Sequence, residues 1–247
     1  MPPAPRQLVA TWATAIGLLA VASAVSLLEP TGLLEGNLAG VAALLFVVLP
    51  DRRVRARGER WEAYGLPWWG HSDRRTWRAW GRGALWALAV CAAVFPLFFL
   101  AFLAFARLLP ELPPEWARLL APYGAAADPR PRLPGGFALL ALTQLLVVAL
   151  PEELFYRGWM QTSWAASDPS RKVRILGADL GRGFLATQAL FALGHLVRLQ
   201  PWRLGTFFPG LLFGWLRART GDLAAPVLVH ALSNLFIAVL EASFYGR

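Results

Sequence analysis

Seven stretches of this chain are almost free of charge and long enough, or nearly so, to cross a lipid bilayer. That pattern constrains the fold more than any other feature. A spanning helix needs roughly 20 predominantly apolar residues. The stretches run from Val9 to Leu28, Leu33 to Leu49, Ala84 to Ala106, Gly136 to Tyr156, Gly183 to Val197, Gly205 to Leu216 and Leu223 to Phe244. They predict an all-α, polytopic transmembrane bundle of about seven spans, with six or eight as neighbouring counts. The second, fifth and sixth are short enough to be tilted, broken or re-entrant. Pro96 inside the third predicts a kink.

Composition supports this reading. With 57% hydrophobic residues, a mean hydropathy of +0.47 and 16% charged residues, the chain carries more apolar surface than a soluble domain of 247 residues buries. The net charge of +9 does not point to nucleic acid, because the arginines sit between the apolar runs, as in cytoplasmic loops of membrane proteins. The single cysteine, Cys91, excludes an internal disulfide framework and a Cys-rich metal site. VASAVS near residue 25 faintly resembles a signal-peptidase site, but the length of the first run and the closeness of the second predict a retained anchor.

The arginines also predict orientation. The segment Pro50 to Gly83 carries nine of them, from Arg52 to Arg82, and is expected to be a cytoplasmic loop, with the N-terminus on the same side. Trp61, Trp68, Trp69, Trp77 and Trp80 alternate with those arginines, which suits either the headgroup layer or a solvated basic loop. The proline-rich stretch Leu108 to Pro134 falls outside, and Arg171, Lys172, Arg174 and Arg182 return to the cytoplasm. The chain divides into N-terminal transmembrane helices, 1–135, and a core, 136–247. PEELFYR (residues 151–157) is placed near the inner end of the fourth span.

Ionisable residues at membrane depth cost about 2.5–3.5 kcal/mol each on insertion scales and are functional candidates by default. The candidates are Glu152, Glu153 and Arg157, then His195, then His230 and Asn234, so two of the three histidines fall inside predicted spans. Glu153 and Arg157 are four apart and share a helix face, acid first, the better order for an ion pair. Glu152 is rotated by about 100°. One carboxylate is then neutralised to hold the helix in place, and Glu152 is read as the only unpaired acid inside a span, free to accept a proton. His230 and Asn234, also four apart, offer two hydrogen-bond donors to an oxyanion. His195, four residues after Phe191, can orient a water against a carboxylate. Each group has a structural alternative: the Glu153–Arg157 pair is a common intrahelix brace, and a lone membrane histidine often makes only an interhelical hydrogen bond. Gly210 and Gly214 have the spacing of close helix contacts.

EExxxR (Glu152, Glu153, Arg157), FxxxH (Phe191, His195) and HxxxN (His230, Asn234), in that order and on separate apolar helices, resemble the CPBP family of intramembrane proteases, which includes the Rce1-type CAAX prenyl endopeptidases. The resemblance covers about Gly136 to Phe244, including TGDLAAPVLVHALSN. It implies a cavity among the core helices and a glutamate-dependent peptidase in which Glu152 is catalytic. Joined to the spacing argument, it gives Glu152 as general base on a water that His195 helps hold, His230 and Asn234 as oxyanion donors, and Glu153, Arg157 and Phe191 as supports of the site. Zinc on two histidines and a carboxylate is considered and disfavoured, because HExxH is absent and an amide beside His230 suits an oxyanion better than a metal. No other cofactor is implied.

The alternatives from other classes are a proton-coupled transporter, which would show inverted repeats that this sequence lacks, and a non-catalytic scaffold of the protease fold. The expected partners are the bilayer and a membrane-anchored protein or peptide substrate, without nucleic acid; nothing fixes an oligomeric state. One lysine against many arginines suggests a high-GC bacterium and hence an inner-membrane setting in which prenylated CAAX proteins are not the first expectation.

Overall fold

A computed structural model describes residues 3–66, 74–120, 130–168 and 170–245. Seven long helices occur among them, and each coincides with one apolar run of the sequence. They are α1 (Pro5–Ser26), α2 (Leu38–Ala56), α3 (Arg74–Leu108), α4 (Phe137–Ser167), α5 (Arg182–Gly194), α6 (Phe207–Thr220) and α7 (Ala224–Tyr245). The protein is a helical membrane protein: α1, Thr76–Glu111, α4 and Ala224–Phe244 are each long and apolar enough to cross a bilayer. Exposed leucines on two of these helices, Leu85, Leu88, Leu97 and Leu100 on α3 and Leu139, Leu142 and Leu146 on α4, present an apolar surface of the kind that suits lipid.

The three shorter helices fall on the runs read as short. With 13 and 14 residues, α5 and α6 rise only about 20 Å each, less than the roughly 30 Å hydrocarbon thickness. They pack against each other and are joined by two 3₁₀ turns, His195–Arg198 and Pro201–Thr206. Irregular backbone of this kind is tolerated at membrane depth where it lines a cavity, and here it does.

Two expectations are corrected. The basic segment is not a loop throughout: α2 continues through Pro50 to Ala56 and α3 begins at Arg74, so the arginines sit largely on helix ends. Arginine is a good helix former, and its long stem lets the charge leave the apolar layer without ending the helix. Trp68, Trp69 and His71 lie outside the described residues. PEELFYR is not at the end of a span either. α4 runs on to Ser167, so Glu152 has 15 residues of helix on each side, because nothing in FYRGWMQTSWAAS breaks a helix.

One core joins α1, α2, α4 and α5 through Leu8, Phe46, Phe155, Tyr156, Trp159 and Phe191; a second joins α3, α6 and α7 through Ala87, Cys91, Phe213, Leu216 and Val229. At one end of the bundle Leu223 N–H donates to Gly65 O at 2.8 Å, Arg217 to the Thr162 hydroxyl at 3.0 Å, and Arg82 pairs with Asp222 at 2.7 Å. A small antiparallel hairpin, β1 (Val173–Ile175) and β2 (Ala178–Leu180), joins that end through Trp215 Nε1–H, which donates to Ile175 O at 3.1 Å. At the other end Arg130 N–H reaches Ser243 O at 2.9 Å.

Candidate active site

The middle of α4 is wound unusually. Gln144–Ala149 and Leu154–Gln161 form π-helical turns around the short α-helical stretch Leu150–Glu153. Wide turns of this kind concentrate at functional positions in helices. They carry the two glutamates into the interior, where Glu153 and Arg157 are fully buried and their side chains meet at 2.9 Å (Nη1 to Oε1). The guanidinium has further partners: Nη2 donates to Gln188 Oε1 at 2.9 Å and to Gly210 O at 3.2 Å, and its carbon lies 4.1 Å from the centre of the Phe191 ring. Gln188 Nε2–H donates to Gln161 Oε1 at 3.1 Å, and Gln161 Nε2–H to Gly214 O at 2.9 Å. The charge is thereby tied to α4, α5 and α6 at once, as a buried ion pair must be to offset its desolvation.

Gly210 and Gly214 are required by this network. A Cβ on Gly214 would fall 2.6 Å from Gln188 Nε2, and one on Gly210 would fall 3.1 Å from Phe191 and 3.2 Å from Arg157 Nη2. Their four-residue spacing serves close approach, and what approaches is the polar network.

His230 comes from α7 and stands between the two acids. Its Nδ1 is 2.8 Å from Glu153 Oε1 and its Nε2 is 3.9 Å from Glu152 Oε2. The ring lies flat on Phe213, with centroids 4.7 Å apart and planes at 17°. Glu152 keeps 16% of its side-chain surface exposed, yet its Oε2 is buried without a hydrogen-bond partner among the described residues. The spacing argument separated the glutamates correctly, one paired with Arg157 and one not, but it did not anticipate one histidine shared between them.

His195 follows the last residue of α5, and its Nδ1 lies 2.8 Å from Phe191 O. A carbonyl only accepts, so Nδ1 carries a proton, and in the neutral ring Nε2 carries the lone pair. Asn234 is four residues from His230, and its Nδ2–H donates to Gln144 Oε1 at 2.8 Å on α4. Glu152, Phe191, His195, His230 and Asn234 all line one cavity of about 1000 Å³, whose remaining walls are mostly apolar and include Phe95, Leu212 and Ile237. A second cavity of about 420 Å³ between α1, α2 and the α5–α6 connection shares Glu152 and His195 with it.

Several residues of this site were not anticipated. Gln144, Gln161 and Gln188 are uncharged, so a search for ionisable groups passes over them. Gln144 could have been found, since it stands eight residues before Glu152 on the same face of an otherwise apolar run. Glu241 is a further acid that belongs beside Glu152 among the candidates: it lies in the last apolar run, on the His230–Asn234 face, and lines the large cavity. Its negative charge in that run was the signal. Among the described residues, no three His, Cys, Asp or Glu side chains are placed to hold a metal ion together. His195 and His230 each have Nδ1 engaged, an orientation common to water-holding and metal-ligating histidines.

A helical membrane protein in which a buried Glu153–Arg157 pair underlies Glu152, His195 and His230 on the wall of a largely apolar cavity is the class that fold and site define. Residues 134–236 match the family described as Type II CAAX prenyl endopeptidase, Rce1-like. The matched region contains Glu152, Glu153, Arg157, Phe191, His195, His230 and Asn234. No curated protein and no solved structure matches the chain.

Proposed function

We propose that the chain is an intramembrane endopeptidase that uses Glu152, without a metal, to hydrolyse a peptide bond of a membrane-anchored protein or peptide. The observation that carries this reading is the difference between two adjacent carboxylates. Each keeps a buried Oε2 without a hydrogen-bond partner among the described residues, but Glu153 Oε1 is engaged by both Arg157 and His230, whereas Glu152 meets only His230, at 3.9 Å, and stands at the wall of a cavity large enough for a peptide segment. An acid left free beside an identical one that is neutralised is poised for proton transfer.

Glu152 takes a proton from water, and His195 Nε2 accepts the second water hydrogen, holding the nucleophile in place. The water oxygen attacks the scissile carbonyl. The resulting oxyanion is met by His230 Nε2–H, with a proton on each ring nitrogen, and by the second Nδ2 hydrogen of Asn234. Protonated Glu152 then gives its proton to the leaving nitrogen as the C–N bond breaks, which restores the carboxylate and releases a new carboxyl terminus and a new amine. The setting proposed is a bacterial inner membrane, with the N-terminus and the basic segment on the cytoplasmic side.

The test is cleavage of a membrane-tethered peptide by the purified protein in liposomes, with the new termini read by mass spectrometry. Turnover that Glu152→Gln abolishes in a protein that stays folded is expected. Turnover undiminished in that variant overturns the reading.

A further inference from the structure

The two cavities meet at Glu152, His195 and a third residue, Arg203, which lines both. Arg203 belongs to the α5–α6 connection, the same irregular segment that begins with His195. The connection carries a second arginine, Arg198, whose guanidinium pairs with Glu35 at 3.0 Å. Arg203 has no acidic partner in contact among the described residues. Its hydrogen bond is from Nε to the amide oxygen of Gln200, a neutral group. The four N–H bonds of its Nη1 and Nη2 end are therefore uncommitted among the described residues, and that end is the face that takes a two-oxygen anion in bidentate fashion.

Around it the large cavity is lined by apolar side chains and by two acids, Glu152 and Glu241. An anionic group entering such a space is repelled unless a cation receives it. Arg203 is exposed, so its guanidinium, unneutralised by any acid in contact among the described residues, is within reach of a negative charge that arrives with a ligand where the two cavities meet. We propose that Arg203 binds a carboxylate of the peptide substrate and so fixes which bond is presented to Glu152. This rests on the peptidase reading of the site. The carboxylate is the substrate's C-terminus or an acidic side chain beyond the scissile bond.

The test uses the purified full chain in liposomes of neutral phosphatidylcholine and two pairs of tethered peptides. Within each pair the members differ by one negative charge: C-terminal acid against C-terminal amide, and Glu against Gln downstream of the scissile bond. Wild type is expected to prefer the charged member of at least one pair by about ten- to hundredfold in kcat/KM, mostly through KM, the range for a charge-assisted hydrogen bond. Arg203→Gln should remove that preference by bringing the charged peptide down to its neutral counterpart, and Arg203→Lys should restore part of it.

Cleavage with no charge preference in either pair overturns the inference and leaves the peptidase reading intact; absence of any Glu152-dependent cleavage fails that reading instead. Equal loss on charged and neutral peptides in Arg203→Gln would make the arginine a counter-charge to Glu152, and overturns the inference. So does a preference that survives Arg203→Gln while activity on all peptides comes to depend on added anionic lipid, which would assign the guanidinium to a headgroup phosphate.

Discussion

The His230 ring lies flat on Phe213, 4.7 Å between centroids, so that its two nitrogens are held edge-on toward the glutamates of α4. One nitrogen is within hydrogen-bond distance of Glu153 and the other faces Glu152 at 3.9 Å. The two acids therefore differ in environment more than their adjacency in sequence suggests, and they should differ in what their removal does.

Glu152→Gln keeps volume and polarity but cannot carry a proton. We expect cleavage to be lost with thermal unfolding in detergent nearly unchanged. Glu153→Gln strands Arg157 at zero exposure and takes the anionic partner from His230, so it should destabilise by about 3–5 kcal/mol. Both variants losing activity at equal, unaltered stability would refute this division.

Gly214→Ala puts a methyl group 2.6 Å from Gln188 Nε2 and 2.8 Å from Gln161 Oε1. A loss of about 1–3 kcal/mol is expected, as for overpacked interiors. Gly40→Ala, on α2 with nothing within 4 Å of the added carbon, should instead be neutral or stabilising by up to about 1 kcal/mol. Comparable unfolding temperatures for the two variants would contradict the packing argument.

Activity should survive dialysis against strong chelators, and the purified protein should hold far less than one zinc per chain, a figure that elemental analysis supplies. If zinc were required, its bound water would ionise near pH 7 and its removal and return would switch turnover off and on. That result would replace the mechanism without altering the class of reaction.

Orientation is checked by labelling. With Cys91 replaced, a cysteine at exposed position Arg60 should resist membrane-impermeant maleimide in intact cells and react once the cells are opened. Modification from outside would invert the bundle.

The sequence was most informative where geometry is local. All seven helices are visible as apolar runs, and the Glu153–Arg157 pair follows from a spacing of four. Helix ends were less legible, because the arginines after Leu49 and the mixed residues after Tyr156 are helix-compatible and their polarity resembles that of a loop. The bridging of two acids by His230 was not legible at all. It depends on how α7 settles against α4, a contact between residues 77 apart, and no local periodicity encodes it. The glutamine relay from Arg157 to Gly214 was missed because an amide in an apolar run is a weaker signal than a charge.

The π-helical turns on either side of Leu150–Glu153 bear on how the chain tolerates alteration. Such a turn is in effect an α-helix with one residue added, and each added residue rotates the remainder of the helix by about 100°. Gln144 reaches Asn234 from one side of the glutamates and Gln161 reaches Gly214 from the other. Deleting a single residue from either turn would re-phase one of those contacts against the acids while leaving the helix long enough to cross the bilayer. Within α4 it is therefore length, more than the identity of the lipid-facing side chains, that the site cannot give up.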